Sequence, residues 1–153
     1  MTESIFLRLA GAGDGPRLTA IRRDAILRLA GTEMGEGGAS AWADSAAADR
    51  VQRAIEIHEV WLAEQRGAPV GWVDLHRERI EGLYVHSTQA RRGLGSALLL
   101  HAEARIKSAG YSAVLLDASA NAEGFYLRRG YKRLPEARSD GSRPMSKTLH
   151  AAA

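Results

Sequence analysis

The stretch from Ile80 to Leu99 holds the residues whose types and spacing can do chemistry. It reads Ile80-Glu81-Gly82-Leu83-Tyr84-Val85-His86, then Ser87 to Arg92, then Gly93-Leu94-Gly95-Ser96-Ala97-Leu98-Leu99. A strand pattern runs into a loop, and glycines stand where the next helical pattern begins. The first N–H groups of a helix have no intrahelical partners, and the aligned peptide dipoles make that end positive. Gly93 and Gly95 let a bulky anion approach this backbone, Leu94 and Ser96 belong to the same first turn, and Arg91 and Arg92 add charge beside it. A diphosphate is the expected guest. A Walker A loop needs Gly-Lys-Ser/Thr, and this segment has no lysine. A dinucleotide fingerprint needs a third glycine at position 98, which is leucine, and it follows an opening strand rather than a hairpin. A glycine turn with no ligand remains a third reading, because short glycine motifs are weak.

Other chemistries are poorly supplied. The chain has no cysteine, which excludes disulfide scaffolds, thiol catalysis and thiolate metal sites. The five histidines (His58, His76, His86, His101 and His150) are scattered, with no His-x-x-x-His spacing and no clustered acids, so they are read as structural or exposed. The basic cluster from Arg128 to Arg133 lacks the interleaved aromatics of a stacking platform, and no helix-turn-helix pattern accompanies it. A solvated helix face is the better reading, and nucleic acid is not expected as a partner.

The elements that must position the glycine turn follow from periodicity. Ile5, Leu7 and Leu9 alternate as an opening strand. Asp14 is a plausible N-cap for a helix built on Leu18, Ile21, Ala25 and Leu29 and ending near Gly31. Residues 31–40 read as a glycine-rich loop and residues 41–57 as a second helix, with Trp42 near its start. Residues 60–63, a turn at 65–69 and residues 70–75 form a hairpin, and 79–86 a third strand. Residues 93–108 form the strongest helix, on Leu94, Leu98, Ala102 and Ile106, with Gly110 as its stop. Strand 113–118, a short helix at 122–129 and strands 131–134 and 143–149 complete the chain. Three antiparallel strands followed by a crossover helix predict a mixed sheet with helices on its faces.

With that order in place, the glycine segment resembles the acyl-CoA signature of the GCN5-related N-acetyltransferase (GNAT) superfamily, a Gln/Arg-x-x-Gly-x-Gly/Ala loop after a strand ending near Tyr-Val. Gly93 and Gly95 match the glycines, and Leu83-Tyr84-Val85 matches the strand. Ala90 departs from the leading Gln/Arg. A second block is similar to the family's Asn/Ser-x-x-Ala-x-x-Phe-Tyr-x-x-x-Gly-Phe/Tyr, with Ser119, Ala122, Phe125, Tyr126, Gly130 and Tyr131 in place. The resemblance is motif-specific over residues 80–131. It implies an α/β (α+β) fold with a mixed, mostly antiparallel twisted sheet of about seven strands and about four helices, in a single domain spanning 1–150.

The resemblance also implies the chemistry. The co-substrate is acetyl-CoA, and the reaction is direct attack of an amine on its thioester. An alkylamine with a pKa of about 10.4 is mostly protonated at neutral pH, so a base must take a proton. The oxyanion that forms is best held by fixed backbone donors. Backbone groups of Leu83, Tyr84 and Val85 are expected along pantetheine, residues Arg91 to Ser96 at the diphosphate, and Ser119 and Phe125 also at the cofactor. Tyr126 is the candidate acid for the departing sulfur, or else a ring packed at a helix–sheet boundary. Glu81 is the candidate base, or else a solvated strand glutamate, with His76 as an alternative base. Gly82 within a strand hints at a bulge. Trp42 is the tryptophan to watch at the acceptor side, while Trp61 and Trp72 read as core.

The acceptor is expected to be a primary amine of a small molecule. A peptide or protein amine, or a non-catalytic acyl-CoA-binding module, stays open. The chain has 153 residues, 45% hydrophobic and 25% charged, enough for one ordinary core. No apolar run approaches the roughly 20 residues of a membrane span, and an acid stands near the N-terminus where a leader would be basic. The expectation is a cytoplasmic protein, with a homodimer open. Residues 1–85 carry 10 Lys+Arg against 13 Asp+Glu, and residues 86–153 carry 11 against 5. The basic half fits a phosphorylated ligand. The acidic half offers Glu33, Glu36 and Glu81 at the mouth of a pocket for a cationic amine.

Overall fold

Two positive-φ residues, Arg66 (φ 54°) and Gly67 (φ 77°), fold the chain back between β2 (Glu59–Gln65) and β3 (Ala68–His76). Mirror-image turns of this kind match the right-handed twist of the strands they join. A second tight turn, with Arg77 at φ 57°, leads into β4 (Arg79–Val85). The computed structural model describes residues 4–34, 47–89 and 92–150, with the backbone alone for 29–34. The other elements are β1 (Ile5–Leu9), α1 (Gly15–Met34), α2 (Ala47–Ile57), α3 (Leu94–Ser108), β5 (Ala113–Ala118), α4 (Glu123–Leu127), β6 (Lys132–Arg133) and β7 (Arg143–Thr148). Short 3-10 turns at Ala12–Asp14 and Ser87–Gln89 precede α1 and the loop into α3.

The seven strands lie in the order β1-β2-β3-β4-β5-β7-β6. β1 pairs antiparallel with β2, and β7 pairs antiparallel with both β5 and β6. β4 and β5 are parallel, in a register formed by Arg79↔Leu115 and Ile80↔Leu116. The mixed sheet and the four described helices agree with the fold expected from the sequence.

By proximity the chain divides into residues 1–74 with 82–100, and 75–81 with 101–153. In the first unit, Leu18 and Ile21 of α1, Val51 and Ala54 of α2, Val60 and Leu62 of β2 and Trp72 of β3 form one buried cluster, with Tyr84 packed against it. The Trp72 indole N–H donates to the Leu18 carbonyl at 3.0 Å, which satisfies the polar atom of an otherwise apolar ring. Gly71 faces the other way, and a Cβ there would lie 3.1 Å from Leu94 Cδ2 and Leu98 Cδ1. The second unit buries Val114, Leu116 and Ala118 of β5, Met145 of β7, Ile106 of α3, and Tyr126 and Tyr131.

Element boundaries shift where local bonding outweighs pattern. Asp14 closes a 3-10 turn by accepting the Gly11 N–H at 2.7 Å, and Arg8 grips both its oxygens at 2.8 and 2.9 Å. α1 runs past Gly31 to Met34, and the rest of the expected loop, residues 35–40, lies outside the described residues. Of the expected second helix, Ala47–Ile57 is described, while Glu36 and Trp42 lie outside the described residues. α4 is shorter than expected, because the N–H groups of Arg129 and Gly130 bond to the carbonyls three residues back, of Tyr126 and Leu127, rather than four.

Candidate functional site

The glycine turn is held in place before it is reached. His86 N–H donates to the Val70 carbonyl at 2.9 Å and extends the β3–β4 hairpin by one bond. The Asp24 carboxylate of α1 then accepts the Ser87 N–H at 2.7 Å and the Ser87 hydroxyl at 3.1 Å. Bonds from N–H to a carboxylate are charge-assisted and stronger than neutral ones. The Thr88 N–H donates to His86 Nδ1 at 3.2 Å, so in the neutral ring His86 carries its proton on Nε2, which lies 3.8 Å from Asp24. Gln89 is buried, and its amide donates to the Gln65 side chain at 2.7 Å. The Arg92 N–H reaches the Gln89 carbonyl at 3.3 Å. Asp24, Gln65 and Gln89 thus anchor the approach to the turn, and nothing in their local sequence marked them.

Gly93 has φ +82°, and a Cβ on it would meet nothing within 4 Å. The first bond of α3 runs from the Ala97 N–H to the Gly93 carbonyl at 3.0 Å. Leu94 is buried and fixes the helix start, while Gly95 and Ser96 are half-buried and Arg92 is exposed. Gly93 is thus a left-handed glycine with open space at its Cβ position, at the head of a 15-residue helix whose first N–H groups favour an anion. Arg91 and Ala90 lie outside the described residues.

β4, which feeds this turn, pairs with β5 through Arg79 and Ile80, the first two residues of its seven. Leu83, Tyr84 and Val85 follow that short register. The Tyr84 side chain is packing rather than an open ligand. Its ring tilts on Trp72 with centroids 5.0 Å apart, and the Arg22 guanidinium carbon lies 5.9 Å from its centre. Gly82 is needed beneath that ring, since a Cβ there would come within 2.7 Å of Tyr84 Cε2. A close approach is therefore what this glycine allows.

Tyr126 is 7% exposed on the five-residue α4. It meets Phe125 edge-on at 5.1 Å and Tyr131 at 5.5 Å. The Ser119 carbonyl accepts from Ala122 and Glu123 N–H groups at 2.9 and 3.2 Å, so the exposed Ser119 starts this turn through its backbone. Arg129 lies 3.7 Å over the Phe125 ring. Behind Tyr126, the buried Tyr131 hydroxyl donates to Glu103 at 2.7 Å, and Lys147 bridges both Glu103 oxygens at 3.1 and 3.2 Å. Burial first, and then the bond to Glu103, push the Tyr131 phenol far above its ordinary value, so it stays a donor.

Glu81 is exposed, and its Oε1 lies 3.4 Å from Arg79 Nε. Arg79 also holds Asp117 at 3.0 Å, and Asp117 holds Arg138 at 3.1 Å, so the candidate base stands at the end of an alternating charge chain. His76 is exposed at the end of β3. His58 is half-buried, and its Nδ1 lies 2.8 Å from Oδ1 of Asp74, an acid that is 8% exposed. The one sequence signal for that pair was a lone acid inside the apolar run of β3. Among the described residues, no group of three or more His, Asp or Glu is placed to hold a metal ion. No described helix is long and apolar enough to cross a membrane.

Comparison with known proteins bears on this geometry. Residues 30–149 match the acetyltransferase (GNAT) domain family. The uncharacterized N-acetyltransferase YafP of Escherichia coli (strain K12) is 31% identical over 136 residues, which is 89% of this chain and 87% of that protein. A GCN5-related N-acetyltransferase from Rhodopseudomonas palustris superposes with a TM-score of 0.86 at 28% identity, covering 97% of this chain and 99% of the other. PaiA N-acetyltransferase from Thermoplasma acidophilum, solved in complex with coenzyme A, has the same fold with a TM-score of 0.84 at 18% identity, covering 95% and 99%.

Proposed function

This chain belongs to the GNAT acetyltransferase family, and from that premise we propose that it is a single-domain enzyme that moves an acetyl group from acetyl-CoA to a primary amine of a small molecule. The observation that carries the proposal is Gly93, left-handed and open to space at the head of α3, on a loop anchored by Asp24 and Gln65. The CoA diphosphate fits the N–H groups of Gly93 to Ser96, with Arg92 and Arg91 countering its charge. Pantetheine runs along the backbone of Leu83 to Val85, beyond the stretch of β4 paired with β5. Ser119 and Phe125 border the cofactor from their own element.

The ammonium form of the acceptor first loses a proton to solvent. The amine nitrogen attacks the thioester carbon and gives up its second proton to a base as the C–N bond forms. The oxyanion is held by a β4 N–H, a fixed donor that needs no rearrangement when the charge develops. Collapse breaks the C–S bond, and the Tyr126 hydroxyl protonates the departing sulfur. The products are the N-acetyl amide and free CoA thiol, and the base and Tyr126 exchange their protons with water. Glu81 is one candidate for the base, although its carboxylate already serves Arg79.

Two measurements test this. Acetyl-CoA should raise the melting temperature by mass action. Thiol release should be seen with some member of a library of small amines, and Tyr126→Phe should lower that turnover by about ten- to a hundredfold, the range of a lost general acid. No stabilisation by any acyl-CoA overturns the proposal. Stabilisation without turnover leaves a non-catalytic acyl-CoA-binding module, and turnover confined to peptides moves the acceptor class.

A further inference from the structure

We infer that His58, oriented by Asp74, is the base that takes the proton from the attacking amine, an assignment that rests on the reaction proposed above. A carboxylate can only accept hydrogen bonds, so the 2.8 Å contact between Asp74 Oδ1 and His58 Nδ1 assigns that ring proton to Nδ1. In the neutral ring Nε2 then carries the lone pair, the arrangement in which an imidazole accepts a proton while its partner stabilises the charge that results. The side chains are 20% and 11% exposed, sheltered but reachable.

The pair lies where the reaction needs it. His58 joins α2 to β2, and Asp74 stands two residues beyond Trp72 on β3. The bond from His86 N–H to the Val70 carbonyl sets β3 against β4. Stepping along both strands from that bond brings Trp72 opposite Tyr84, in keeping with their 5.0 Å ring contact, and Asp74 lies two residues further along β3. Trp72 and Tyr84 face α1 and α2, and Asp74 shares that face by strand alternation. Two residues, about 6.6 Å, separate Asp74 from Trp72 along β3, the strand beside β4, where the thioester is proposed to lie at Leu83.

A merely structural tie between α2 and β3 gives a weaker account of the pair. Burying a carboxylate costs free energy that a neutral or apolar pair would avoid. Glu81, by comparison, is exposed and bound to Arg79.

The test uses the full chain and the amine found by the thiol-release screen. His58→Asn keeps an N–H facing Asp74 but has no basic nitrogen, whereas His58→Ala removes both. Both variants should lose at least about a hundredfold in kcat, within the range of a lost general base, while the thermal shift with acetyl-CoA stays within twofold of wild type. Glu81→Gln and His76→Gln should each lose clearly less kcat than His58→Asn. The inference is overturned if His58→Asn retains near-normal kcat while His58→Ala loses activity and melting temperature, since a hydrogen-bonding role is then sufficient. It is also overturned if Glu81→Gln or His76→Gln shows the large loss instead. A wild-type protein that neither binds acetyl-CoA nor releases thiol sinks the function itself, an outcome visible before any His58 variant is made.

Discussion

Gly93 separates ligand chemistry from backbone strain, because its φ is +82° and a Cβ there meets nothing within 4 Å. Gly93→Asn and Gly93→Asp are near-isosteric substitutions that differ by one charge. Both carry the cost of placing a side chain in the left-handed region, roughly 1 kcal/mol, with no clash against the protein itself. Gly67, at φ +77° and equally open, supplies the control, since Gly67→Asp carries similar strain far from the turn in sequence. At a hundred times Kd, acetyl-CoA stabilises the wild type by about 2.7 kcal/mol. For a chain of this length each kcal/mol moves the melting temperature by about 2–4 °C, so the expected shift is about 5–11 °C. The assay is a thermal melt of all four proteins with and without acetyl-CoA. Without ligand the three variants should fall by about 2–4 °C. With ligand, Gly67→Asp should keep the full shift, Gly93→Asn should lose part of it, and Gly93→Asp should show none, because its carboxylate occupies the place of the diphosphate with the same sign of charge. A full shift in Gly93→Asp, or its loss in Gly67→Asp, refutes the anion seat.

Two further outcomes probe the scaffold. Lys147→Met strips the cation from Glu103, whose side chain is 9% exposed, while the Tyr131 hydroxyl remains as one partner. Breaking a buried pair costs 3–5 kcal/mol, and Lys147 is 26% exposed, so a loss of about 2 kcal/mol in urea unfolding is expected. The double variant Glu103→Gln/Lys147→Met should recover most of that loss. An unchanged single variant shows that solvent already screens the pair. At Asp14, the bond from Arg8, opposed by desolvation and aided by the Gly11 N–H, holds the carboxyl below its ordinary 3.8. A lowered folded value gives stability that is present above 3.8 and lost as pH falls through that lower value. The stability gap between wild type and Asp14→Asn should therefore be widest near neutrality and narrow in strong acid. A gap that does not change with pH removes this role.

The residues of the glycine turn were legible because the chemistry is local. A strand ending at Val85, glycines at 93 and 95 and a helical pattern from Leu94 lie within one short stretch, and backbone N–H groups need no distant partner to form an anion seat. The second block, Ser119 to Tyr131, was readable for the same reason. Glu81 was named from its place in β4, yet the link from its partner Arg79 onward to Asp117 and Arg138 runs from β4 to β5 and the loop before β7. Gly82 was noticed, but its purpose was not. The ring it accommodates belongs to Tyr84, and the direction of that ring follows from Trp72 on the neighbouring strand.

Sequence alone determined the order of elements, the helix start behind the glycine turn, the absence of thiol chemistry and the family to which the chain belongs. Each of these depends on residue type and near spacing along the chain. Tertiary structure alone decided which polar groups meet: Asp24 with Ser87, Gln65 with Gln89, Tyr131 with Glu103 and Lys147, and His58 with Asp74. These partners are 16 to 63 residues apart. A hydrogen bond requires contact within about 3 Å, and no local pattern encodes which distant donor and acceptor the folded sheet will bring that close.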